Sequence, residues 1–98
     1  MSRVRVLRRA VLEATAASDW YAERDLRAAE EFRIALDETV ANLAELPGSG
    51  HLWPGHEGVR RARVRGFPFW VVYEEFADGI TVLAIAHQKR NPNYWREP

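Results

Sequence analysis

The sequence predicts an α+β fold of two layers, an N-terminal helical hairpin packed on a small antiparallel β-sheet. Apolar residues recur at intervals of three and four through the first half of the chain, which is the period of a helix face. Between Pro47 and Gly58, four glycines and two prolines interrupt that pattern, so this stretch is expected to be loop. Three short apolar segments then alternate with turn residues, which is the pattern of an antiparallel meander. A hairpin with apolar stripes must bury them, and a sheet laid against it is the simplest partner.

Val4, Val6 and Leu7, set among arginines, read as a short first strand. From about Arg8 to Arg24, Ala10, Ala14, Ala17 and Tyr21 continue one face of a helix. Asp25 is placed to cap a second helix. Along that helix Ala29, Phe32, Leu36, Val40, Leu43 and Leu46 trace a stripe that ends at Pro47-Gly48. Such a helix spans roughly 30 Å, and its short connection to the first makes the pair antiparallel. The later strands are expected at Val59–Arg65, Pro68–Glu75 and Ile80–His87, with Ala77-Asp78-Gly79 as a hairpin turn. With 98 residues, the chain is expected to form a single domain over 1–98.

Composition narrows the function classes. The chain has no cysteine, which removes disulfides and thiolate chemistry. No apolar stretch has the length of a signal peptide or membrane span, so the expectation is a soluble cytoplasmic protein with no membrane partner. Net charge is zero but segregated. Residues 1–9 hold four arginines and no acid, residues 10–58 hold ten acids against three arginines, and residues 59–98 hold seven bases against four acids. One surface can therefore attract phosphate or acidic groups while another meets basic ones. Gly50 and Gly55 have phosphate-loop spacing, but His56-Glu57 follow where Lys and Ser/Thr are required. His51, His56 and Glu57 match no strong metal-ligand spacing, and no cofactor or metal is implied.

Two constellations stand out. Alternation along Val59–Arg65 puts Arg61, Arg63 and Arg65 on one strand face, about 6–7 Å apart, comparable to successive phosphates. With Lys89 they form a candidate surface for nucleic acid or another target; a solvated edge strand defended by charge is the alternative. His87, Arg90 and Tyr94 form the candidate catalytic group of a metal-free ribonuclease, in which histidine moves a proton, arginine supplies fixed charge and tyrosine donates or stacks. Both faces of the last two strands are apolar. Phe69, Val71 and Tyr73 oppose Trp70 and Val72, and Leu83 and Ile85 oppose Ile80, Val82, Ala84 and Ala86. Two helices can cover only one face, so Trp70, Val72, Leu83 and Ile85 are expected to meet a partner chain, the alternative being cover by the first strand's extension and the C-terminal tail.

The order of several pieces resembles the RelE/ParE superfamily of toxins from type II toxin–antitoxin systems, of the plasmid stabilisation type. The pieces are Ala10 to Tyr21, Ala29-x-x-Phe32, Leu46-Pro47-Gly48, Gly58-Val59-Arg60, Phe67-Pro68-Phe69-x-Val71-x-Tyr73 and His87-x-x-Arg90-x-Pro92-x-Tyr94-Trp95. The resemblance implies the same two-layer fold, a cognate antitoxin that wraps and neutralises the chain through an extended segment, and growth arrest as the outcome. The family divides by target. ParE-like members inhibit DNA gyrase without being nucleases, and RelE-like members cut messenger RNA on the ribosome. Lys89 is the chain's single lysine, a departure from the lysines typical of the RelE site. The Phe-Pro-Phe strand and the Pro-x-Tyr-Trp ending look closer to the ParE side. Gyrase inhibition is therefore the first expectation, ribosome-dependent mRNA cleavage the second, and a non-toxic interaction module the third.

Overall fold

A computed structural model, which describes residues 3–90, turns these periodicities into strand β1 (Arg3–Val6), helices α1 (Arg8–Ala22) and α2 (Leu26–Glu45), a 3-10 turn (Pro47–Ser49), and strands β2 (His51–Leu52), β3 (Val59–Arg63), β4 (Phe69–Phe76) and β5 (Gly79–His87). Helix α2 starts where expected. The Asp25 carboxylate accepts the Arg27 N–H at 2.9 Å, satisfying one of the unpaired donors of the first turn. Helix α1 has no such cap and begins with Arg8 and Arg9, so its positive end is reinforced instead of offset.

The five strands form one sheet in the order β1-β5-β4-β3-β2. Strands β3, β4 and β5 make the expected antiparallel meander. The first strand pairs parallel to β5, with Arg3 opposite Gly79 and Val6 opposite Val82. The helical pair covers one face. There Phe32 is wholly buried and stacks against Tyr21, Phe67 and Phe69 at centroid distances of 5.3–5.4 Å. Phe67 and Phe69 flank the β3–β4 turn, so the Phe-Pro-Phe motif fastens that turn to both helices.

Tyr73 fixes the join between the layers. Its ring is buried at the centre of β4, its hydroxyl donates to the Pro47 carbonyl at 2.6 Å and accepts the Gly50 N–H at 3.0 Å. The end of α2 is thus tied to mid-sheet. A side chain at Gly50 would overlap the Tyr73 hydroxyl and lie 2.8 Å from Cε1, so glycine is required there by contact. Burial raises the Tyr73 phenol above its ordinary pKa, against smaller opposing effects of the Gly50 N–H and Arg60.

Three expectations are corrected. Strand β3 ends at Arg63, and Arg65 lies in the turn that Gly66 closes at φ 85°. The ladder of three arginines is therefore two. The expected alternation in β5 fails at Leu83, where a register shift places Val72 opposite Ala84 but Tyr73 opposite Val82. This bulge sends Leu83, Ala84 and Ala86 to the far face and Ile85 to the helix side. Finally, the stretch from Pro47 to Gly58 is not plain loop. Its β2 segment pairs with β3, and tight turns through Gly55 and Gly58, both at positive φ, fold Trp53 back onto the sheet.

Candidate functional site

The far face of the sheet is closed by the chain itself. Trp53, Val59, Val72, Ala84 and Ala86 form a second buried cluster, with Trp70 and Leu83 packed on its margin. Val72 has no exposed surface, so it cannot be a contact for another chain. Of the four residues expected to meet a partner, Trp70, Val72 and Leu83 share this face, and Ile85 sits beneath the helices. They do not form one open surface.

The β3 arginines complete the closure. The Arg61 guanidinium lies 4.3 Å above the Trp70 ring and 5.2 Å from Trp53, and that of Arg63 lies 5.3 Å from Trp70. Arg63 also donates to the Phe67 carbonyl and to the Gln88 side chain, both at 2.9 Å. Arg60, on the opposite side, donates to the Gly50 carbonyl at 2.8 Å and holds the 3-10 turn. Each of the three is engaged in holding sheet, loop or turn, a geometry that favours stacking and carbonyl capture by the planar guanidinium. Arg65 and Lys89 remain exposed.

An open apolar patch lies on another side of the molecule. Val4, Val6 and Leu7 on β1 and its exit, and Val11 and Leu12 on α1, are 41–56% exposed. Beside them a groove of about 480 Å³ runs between α1 and α2, walled by Val4, Val6, Val11, Ala14, Leu36 and Val40 and floored by Phe32, Val82 and Ile85. Asp19, Arg33 and Asp37 rim it. The groove is apolar along its length with polar groups at its margin.

A second cleft of about 430 Å³ lies at the end of β5, bounded by Trp20, Tyr21, Phe69, Glu13, His87 and Arg90. His87 meets the Phe69 ring edge-on at 5.1 Å, and its Nδ1 accepts the Lys89 N–H at 3.1 Å. Glu13, at mid-helix in α1, accepts the Ile85 N–H at 3.0 Å across 72 residues of sequence. Its carboxylate thus satisfies an amide of β5 beyond the reach of β1. Sequence reasoning assigned Glu13 no role, and nothing local marks it. Trp20 projects outward at 53% exposure with the Arg24 guanidinium 3.7 Å above it. His87 and Arg90 do share this cleft; Tyr94 lies outside the described residues. Among the described residues no cluster of three or more His, Asp or Glu side chains could hold a metal, and no helix is long and apolar enough to cross a membrane.

A helical hairpin on a five-stranded sheet, with an apolar groove beside the edge strand β1, defines a small two-layer α+β domain. Among solved structures it is similar to a chain of the chromosomal ParDE toxin–antitoxin system from P. aeruginosa. The TM-score is 0.75 at 22% identity, covering 89% of this chain and 96% of that one, a likeness of fold. No match was found among curated proteins. The family described as the ParE toxin of the type II toxin–antitoxin system parDE matches residues 4–92, and the chain belongs to that family.

Proposed function

We propose that this toxin arrests growth in the cytoplasm by binding DNA gyrase, without chemistry of its own, and that a cognate antitoxin neutralises it. The observation that carries this reading is the engagement of Arg60, Arg61 and Arg63 in carbonyl and tryptophan contacts. A nuclease needs cations free to meet a pentavalent phosphate. Releasing Arg61 or Arg63 for that purpose would uncover Trp70 and loosen the far-face cluster. The apolar groove and the exposed β1 edge supply the surface an antitoxin requires, and the acidic helical hairpin adds charge beside it.

One observation favours a second reading, ribosome-dependent mRNA cleavage. The cleft at the end of β5 brings His87, Arg90 and the Glu13 carboxylate together, the residue types of a general acid–base site. His87→Ala separates the two. Under the gyrase reading, growth arrest after induction without antitoxin is unchanged and transcripts stay intact. A nuclease that used His87 would lose roughly 10²–10⁴-fold in cleavage rate, and arrest would weaken with it.

A further inference from the structure

Strands β1 and β2 are the edges of the sheet, and β5 becomes a further edge where β1 leaves it. The pairing with β1 covers Gly79 to Val82, while β5 continues to His87. Among the described residues, no strand lies on the β1 side of that outer length. The bulge at Leu83 sets which groups it presents. Val82 turns its carbonyl to β1, where it accepts the Leu7 N–H, and the extra residue then reverses the parity. Gln88 donates to the Pro68 carbonyl on the β4 side, so Ile85, of opposite parity, turns its N–H outward.

From Ile80 to Ala86 the chain has no charged residue, no glycine and no proline. An aliphatic, uncharged segment of this kind pairs readily with copies of itself. The other edges are defended in ordinary ways, β1 by Arg3 and Arg5 and β2 by being two residues long. The outer length of β5 has neither defence. It has Glu13, which reaches across from the middle of α1 and accepts the Ile85 N–H at 3.0 Å. An added strand would have to place a carbonyl oxygen at that amide, and it would meet a carboxylate already there.

We propose that Glu13 guards this edge against a second copy of the chain by occupying the Ile85 amide that strand addition requires. With the guard withdrawn, β5 of one copy would pair antiparallel with β5 of another about a two-fold axis, entering by the cleft beside Glu13 and Ile85. No charge opposes like charge in that pairing, whereas two β1 strands would set arginine against arginine. The guard thus keeps the chain single when no other protein covers it, whatever its target.

The test compares the full native chain with three variants. Glu13→Ala removes the acceptor, Glu13→Gln keeps an acceptor oxygen without the charge, and Glu13→Asp keeps the charge but falls short by one methylene. Sedimentation over a range of concentrations should find the native chain and Glu13→Gln monomeric. Glu13→Ala should self-associate with a dissociation constant lower by about tenfold or more. Amide exchange at Ile85, slow in the native chain, should be fast in dilute Glu13→Ala and slow again as that variant is concentrated. Should Glu13→Ala fail to fold, Glu13→Asp carries the same expectation at smaller amplitude. The proposal is overturned if the folded variant stays monomeric with Ile85 exchanging fast at every concentration. Equal self-association of the native chain, or of Glu13→Gln and Glu13→Ala, would overturn it as well.

Discussion

Gly79→Ala should detach β1 from the sheet. Gly79 lies directly opposite Arg3 in the parallel pair, and a Cβ there would overlap the Arg3 carbonyl oxygen and lie 2.6 Å from its carbon. The obstacle is backbone, so no rotamer change relieves it; either β1 moves or the β4–β5 turn distorts. Overpacking of this kind costs about 3 kcal/mol or more, the upper end of what inserted methyl groups do in cores. Amide exchange should show β1 losing protection while the β3–β4–β5 meander keeps it, and thermal unfolding should shift down. If the proposed role of β1 holds, antitoxin affinity falls in the same variant. A crystal structure of the variant with β1 still paired at the native register would refute this account of Gly79.

Tyr73→Phe is the second large effect. The substitution keeps the buried ring but strips the Pro47 carbonyl of its donor and the Gly50 N–H of its acceptor. Leaving two backbone groups unsatisfied near the core costs roughly 2–4 kcal/mol, each in the usual range for an orphaned buried polar group. The end of α2 and the 3-10 turn should loosen first, read as faster exchange at Gly50. A pH signature accompanies it. Burial raises the phenol's pKa in the folded chain above its value in the unfolded one, so between the two the folded state holds a proton that the unfolded state releases. The stability this supplies is complete below about pH 10, the ordinary tyrosine value, and is lost as pH rises through the folded pKa. Denaturant unfolding from pH 8 upward should therefore show an alkaline decline that Tyr73→Phe reduces, the remainder coming from Tyr21, whose phenol burial also raises. An identical decline in both proteins would mean that another group causes it.

The two-layer architecture was legible because its determinants are local. Period and turn chemistry placed both helices and the meander, and Asp25 capped α2 where its position suggested. What escaped depends on contacts between distant segments. No glycine or proline marks the bulge at Leu83, which arises where β5 changes from pairing with β1 to an open edge, so Ile85 was placed on the wrong face. Trp53 lies in a Gly- and Pro-rich stretch that reads as solvated loop, yet its fold-back closes the sheet and redirects Arg61 into stacking. The far face was expected to be open because only two helices were counted as cover. The exposed surface is instead the β1 edge and the groove beside it, where short apolar residues interleaved with arginines gave no strong periodic signal.

The most direct test of gyrase inhibition is supercoiling of relaxed plasmid by purified DNA gyrase, with the purified chain added alone and then with its antitoxin. The result expected is inhibition by the chain, relief by the antitoxin, and intact messenger RNA in a parallel translation reaction. Undiminished supercoiling, together with transcripts cut on the ribosome, would contradict it and move the function to the cleft that holds Glu13, His87 and Arg90.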